Sequence, residues 1–194
     1  MSDTVSMIRK EVIARCKSRD NMHGYGAWTY HIKSVADCAV KLAEAWGGVD
    51  VEVVELAALL HDVASVTKEE YVKEHHIYGA EIAEQLLTDY NYPEDKIELI
   101  KKCILNHRGS RPRSKVTIEE IIIADADAMA HFDNIPSLFS LVYKERQMSI
   151  DDGARFVKEK LQRSYDKLSD NSKRLYRRRY DEAMSIFGNL EKQP

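Results

Sequence analysis

The sequence predicts an all-α protein built as a single helical bundle, and three observations carry that reading. Apolar residues recur at three- and four-residue spacing along most of the chain. No stretch alternates as a convincing strand. The interruptions fall at Gly, Pro, Asn and Ser clusters. Of the 194 residues, 44% are hydrophobic and 31% charged, an ordinary globular balance for one sizeable core.

The elements follow in order. Thr4 to Arg19 reads as a first helix with an apolar stripe at Val5, Ile8, Val12 and Ile13, broken by "NMHGYGAW". "YHIKSVADCAVKLAEAW" places Ile32, Val35, Ala39, Leu42, Ala43 and Trp46 at helical spacing, and Gly47-Gly48 stops it. Val51 to Val63 is a shorter, more buried helix. "HHIYGAEIAEQLLTDY" is amphipathic and ends before "NYP". Glu94 to Asn106 turns Ile97, Ile100, Ile104 and Leu105 inward, and "HRGSRPRSK" is a loop. Thr117 and Glu120 form a capping box for a helix through "IEEIIIADADAMAHF". The isoleucine run at 121–123 is the one place where a strand competes, and the cap and the alanines favour helix. Ser149 and Asp152 open a C-terminal helical stretch to about Gly188, broken near "LSDNS". Without a repeat, linker or low-complexity block, residues 1–194 are expected to form one domain. A motif-bearing core spans about 25–135, and C-terminal helices at about 136–188 complete the bundle.

Charge and cysteine usage exclude several classes. A net charge of −3 argues against a dedicated nucleic-acid binder. The basic run "KRLYRRRY" reads instead as the exposed face of a long helix with Leu175 and Tyr176 packed. No apolar stretch approaches the ~20 residues that span a membrane, and the first residues carry no signal-like apolar segment. Cys16, Cys38 and Cys103 are odd in number and far apart, which suits a reducing cytoplasm and neither a disulfide framework nor a cysteine zinc site. Tyr176, Tyr180 and Phe187 offer a candidate homodimer face.

One stretch does not fit a plain core. In "LAALLHDVAS" five apolar residues run into His61 and Asp62. A buried polar group must be hydrogen-bonded, and a buried charge must be paired or bound to a metal. Other such residues stand at or near helix ends: His31, His75-His76 and His107, with Asp125 and Asp127 inside the apolar sixth helix. Helix ends are where side chains from several helices can converge. An ion among them would neutralise Asp62 and use the His61 lone pair at once.

The order His31, His61-Asp62, Asp127 in "ADADAMAHF" resembles the H…HD…D signature of the HD-domain metal-dependent phosphohydrolases. "HHIYGAEIAEQLL" and "ILNHRGS" are similar to segments of the small bacterial and archaeal members. The resemblance covers about residues 25–135 and implies a helical HD-type bundle. It implies one or two divalent transition metal ions (Mn, Fe, Co, Ni or Zn) held by His31, His61, Asp62 and Asp127. Asp127 is taken over Asp125 because the family's aspartate precedes a small-then-apolar pair, which leaves Asp125 to support the ligands from behind. A subset of the family adds histidines where His76 and His107 stand, as second-metal ligands or as acids, with His75 left solvated. In the following loop Arg108 and Arg111 are candidate phosphate contacts, since guanidinium groups grip phosphate bidentately, while Arg113 and Lys115 read as solvated.

The implied reaction is hydrolysis of a phosphate ester or anhydride, with a small phosphorylated molecule such as a nucleotide as substrate and neither membrane nor nucleic acid as partner. The set His31, His61, Asp62, His76, His107 and Asp127 also resembles the di-iron HD oxygenases typified by myo-inositol oxygenase. A non-catalytic binding module on the same scaffold is the third reading, and the intact ligand set opposes it.

Overall fold

The computed structural model describes residues 2–108, 116–188 and 190, and every regular element among them is helical. The caps follow the sequence signals. Ser2 accepts from Val5 N–H to open α1 (Asp3–Lys17). A π-turn (Trp28–Ile32) leads into α2 (Lys33–Trp46), which ends at Gly47 with φ +67°, a left-handed conformation that glycine adopts without strain. Asp50 accepts from the N–H groups of Glu52 and Val53 to open α3 (Val51–Leu60). A 3₁₀ segment (Glu69–Glu74) feeds α4 (His75–Asp89), and α5 (Glu94–Asn106) follows. The expected capping box is present at α6 (Ile118–Asp133). Ser149 and Ser169 cap α8 (Ile150–Asp166) and α9 (Asp170–Ser185), so the C-terminal stretch breaks near "LSDNS" as its composition predicts.

Three elements differ from the periodicity. The third helix ends at Leu60 rather than Val63, and turns carry the chain on to Thr67. The 3₁₀ segment at 69–74 has no buried residue and hence no apolar stripe to announce it. Between the sixth helix and Ser149 lie a short α7 (Ile135–Ser140) and a second π-turn (Leu141–Glu145).

α3 is the centre of the bundle. Its residues Val53, Val54 and Leu56 to Leu60 have no exposed surface, and it packs against α1, α2, α5 and α6. α6 is almost as deeply buried and joins the two apolar clusters. The larger cluster draws on α1 to α6. The smaller comprises Phe132, Leu138, Val142, Val157, Leu161, Ala183 and Phe187, and it docks α8 and α9 onto α6. At Gly79 in α4 an added Cβ would meet Ile104 Cγ2 at 3.3 Å and the His61 carbonyl at 3.7 Å. That close approach brings the start of α4 over the ends of α3 and α5.

Two surface expectations are corrected here. Leu175 is 67% exposed while Tyr176 packs. The aromatic residues expected as a homodimer face turn inward. Tyr180 stacks on Tyr165 at 4.1 Å, Tyr176 meets Phe132 at 6.1 Å, and Phe187 is buried near Phe139. Positions 176, 180 and 183 form one stripe of α9, Phe187 continues it just past the helix, and α8 and α6 cover it.

The α6 cap also anchors α5. The Glu120 carboxylate accepts from Thr117 N–H at 2.8 Å, Val116 N–H at 3.0 Å and the Asn106 amide. Burial would raise its pKa, but these donors outweigh burial and hold it below the usual glutamate value. Because the folded pKa is depressed, the stabilisation is present above the unfolded value of about 4.3 and is lost as pH falls through the folded value. Thr117→Ala should cost about 1 kcal/mol, and Glu120→Ala about 1–3 kcal/mol by removing the charged acceptor of these part-buried donors. Urea unfolding of Glu120→Ala should show a flatter stability profile than the parent below about pH 4.3. A parallel profile would remove Glu120 from the account.

Candidate metal centre

Helix ends supply most of the site. The last carbonyls of a helix have no partner within it, and three histidines satisfy such carbonyls. Nδ1–H of His61 donates to Ala58 O at 2.7 Å, that of His75 to Val72 O at 2.9 Å, and that of His107 to Ile104 O at 2.6 Å. Each carbonyl lies three residues back, at the end of α3, of the 3₁₀ segment and of α5. A carbonyl only accepts, so each Nδ1 carries the proton and each Nε2 offers a lone pair.

Those lone pairs converge. His61 Nε2 lies 3.2 Å from His31 Nε2, and His75 Nε2 lies 3.3 Å from His107 Nε2. Asp62 stands between the two pairs. Its Oδ2 is 3.3 Å from His31 Nε2 and 3.7 Å from His61 Nε2, while its Oδ1 is 3.4 Å from His75 Nε2 and 4.0 Å from His107 Nε2. On α6, Asp127 Oδ1 lies 3.4 Å from His31 Nε2 and 3.9 Å from His131 Nε2, and Lys167 pairs with its other oxygen. Among the described residues three overlapping groups could hold an ion: His31, His61 and Asp62; Asp62, His75 and His107; His31, Asp127 and His131.

The electrostatics suit a cation. Burial would raise the Asp62 carboxyl, but His61, His75 and His31 hold it well below the usual carboxylate range. Burial also opposes ionisation of Asp127, and Lys167, His131 and His31 outweigh it. Burial lowers His61, pushes His107 down to about 3 and, with Lys160, holds His131 well below the usual imidazole value. At neutral pH these three are neutral imidazoles beside two carboxylates, the donor set that binds divalent transition metals. In the His75–His107 pair both Nδ1 protons are committed to carbonyls, so two Nε2 lone pairs 3.3 Å apart repel unless a cation lies among them. At His31 burial opposes the charge, and the Asp62 and Asp127 carboxylates outweigh it and raise the imidazole. The residues fit a metal.

Of the residues singled out in the sequence, His31, His61, Asp62, His107 and Asp127 come together. His76 does not. It is buried in the first turn of α4 with Nε2 3.8 Å from the Glu74 carboxylate, and His75 takes the place expected for it. The 3₁₀ segment sets the phase of that turn, so the first histidine of the pair faces Asp62. Asp125 is corrected too. It accepts from the N–H and hydroxyl of Ser169, tying α6 to the start of α9 rather than backing a ligand. Arg108 lines the site, with Nη1 donating to Lys73 O at 2.8 Å. Arg111, Arg113 and Lys115 lie outside the described residues.

The site opens into a cavity of about 400 Å³ whose far wall is residues that sequence reasoning missed. α8 contributes Lys160, Arg163 and Ser164, Lys167 follows it, and Arg146 comes from the segment before it. Ser164 Oγ lies 3.1 Å from His131 Nδ1. The available signal was spacing: 160, 163, 164 and 167 form one helical face beside the apolar stripe Val157, Leu161 and Leu168.

The HD domain family matches residues 28–131, more than half of the chain and every histidine and aspartate of the cluster. The chain belongs to the HD domain family. That membership places it in a superfamily of metal-dependent phosphohydrolases. An uncharacterized protein of Clostridium beijerinckii is 36% identical over 64 residues, which is 33% of this HD chain and 41% of that protein. The matched region thus spans about two fifths of that relative's length. No solved structure matches. α8 lies beyond the residues that the family match covers.

Proposed function

We propose that this HD domain chain hydrolyses a phosphate ester or anhydride in a small molecule, with a nucleotide as the leading candidate. The observation that carries the reading is Asp62, whose two oxygens face two different imidazole pairs. It supports two ion positions, one with His31, His61, Asp62 and Asp127, the other with Asp62, His75 and His107. Bound there, a divalent transition metal supplies Lewis acidity toward a phosphoryl oxygen and acidifies water.

The chain's own residues do the rest. The backbone carbonyls behind His61, His75 and His107 fix the imidazole planes before substrate arrives, so little reorganisation is needed. Lys167 neutralises Asp127 at the cavity wall, and Arg108 and Lys160 present positive charge to an entering phosphate. Phosphoryl transfer depends mainly on such positioning and charge neutralisation.

The oxygenase reading shares the cluster. The cationic wall disfavours an uncharged polyol, whereas a phosphonate cleaved at its C–P bond would engage that wall too, so O₂ uptake separates the two enzyme classes. Arg177 and Arg178 of the α9 basic run pair with Asp181 at 2.8 Å and Glu182 at 3.1 Å, and Arg179 pairs with Asp133. That internal neutralisation supports a small substrate over nucleic acid. Cys16, Cys38 and Cys103 are free thiols, with burial pushing Cys16 and Cys38 up to about 11, in keeping with a reducing cytoplasm. No helix of the described residues is long and apolar enough to cross a membrane.

The test is a panel of nucleotides and phosphodiester probes with several metals, with O₂ uptake followed in parallel. Metal-dependent phosphate release is expected, and Arg108→Ala should lower kcat/KM by about tenfold. Oxygen consumption with an organic substrate and no phosphate release would overturn the proposal.

A further inference from the structure

One phosphoryl group at the His/Asp cluster uses only part of the cavity's charge. Among the described residues five cations line the cavity, Arg108, Arg146, Lys160, Arg163 and Lys167, against two carboxylates, Asp62 and Asp127. Both carboxylates are engaged, Asp62 among the imidazoles and Asp127 with Lys167.

Among the described residues the remaining cations lack strong anionic partners. Among the described residues Lys160 forms no ion pair, although it sits within the field of Asp127 and Asp62 and burial pulls its pKa down. A desolvated ammonium is costly unless an anion compensates it. Arg146 is held over the Phe156 ring, 4.7 Å from its centroid, rather than by a carboxylate. Arg163 shares only an exposed pair with Glu159 at 3.5 Å, which solvent weakens. The compensating anion therefore has to arrive with the ligand.

We propose that the cavity accepts a substrate carrying at least two linked phosphoryl groups, one at the His/Asp cluster and the next held by Lys160, Arg146 and Arg163. This rests on the phosphohydrolase reading and narrows it to phosphoanhydrides such as nucleoside di- and triphosphates. Hydrolysis breaks a bridging P–O bond and puts the water oxygen on the attacked phosphorus. The bridging electron pair stays on the departing phosphate, and water's protons pass to the products and to solvent.

The full chain with Mn²⁺ is assayed against AMP, ADP and ATP, matched in base and sugar. Calorimetry with orthophosphate and pyrophosphate, with and without Mn²⁺, repeats the comparison independently of turnover. kcat/KM for ADP and ATP should exceed that for AMP by about tenfold or more, and pyrophosphate should bind more tightly than orthophosphate by a similar factor. Lys160→Met should collapse both ratios and Lys160→Arg should keep them, with melting curves showing that both variants fold. Equal handling of the paired ligands, or unchanged ratios in Lys160→Met, overturns this inference while phosphate release leaves the phosphohydrolase reading standing. No phosphate release from any compound, with the pyrophosphate preference intact, overturns the hydrolytic reading instead.

Discussion

Asp62→Ala is expected to abolish metal retention and turnover together. Asp62 is the only residue shared by the group of His31 and His61 and the group of His75 and His107, so its loss removes the carboxylate from both. The remaining imidazoles would face one another at about 3.2 Å with no negative charge between them. Metal content of the purified protein should fall from stoichiometric to near zero, and kcat/KM by about a thousandfold or more. Asp62→Asn keeps the shape and removes the charge, and should show the same losses while melting close to the parent. Full metal occupancy in either variant would sink the assignment of Asp62 as the carboxylate common to the two groups.

The next largest effect separates two adjacent histidines. His75→Ala should leave the group of His31 and His61 intact, reduce metal content from two ions to one, and lower turnover by about a hundredfold. His75 Nε2 lies 3.4 Å from Asp62 Oδ1, whereas His76 does not line the cavity. His76→Ala should therefore retain metal and register as a lower melting temperature, because it empties a site that is 2% exposed. Atomic absorption and melting curves on the two variants decide the matter. If His76→Ala loses the metal and His75→Ala keeps it, the geometry at the start of α4 is wrong.

The same pair shows where the sequence stops being legible. The helices, their caps and the convergence of His31, His61, Asp62, His107 and Asp127 could be read, because periodicity, capping residues and helix ends are local. Choosing between His75 and His76 could not, because their directions depend on a 3₁₀ segment without an apolar stripe. Asp125 and Asp127 share a short buried run, and only the position of Ser169, 44 residues on from Asp125, shows that Asp125 holds the capping residue of α9. Lys160 and Lys167 were hidden differently. Lysine and arginine on an amphipathic helix ordinarily face water, and tertiary packing turned this edge of α8 toward the cavity.

The separation between cluster and wall has an evolutionary consequence. The ion-holding residues occupy 31–131, on helices that also build the main core, so most changes there would be felt in folding and in reactivity at once. The wall stands on α8, which is fastened by a small apolar cluster of its own. On the proposed reading, exchanging Arg163 or Arg146 alters which molecules are welcomed while leaving the His/Asp cluster in place, whereas exchanging Lys160 also removes a charge that bears on His31, Asp127 and His131. If the proposed function holds, a lineage carrying this arrangement can drift from one phosphorylated compound to another by changes at Arg146 and Arg163, while its His/Asp cluster is passed on unaltered.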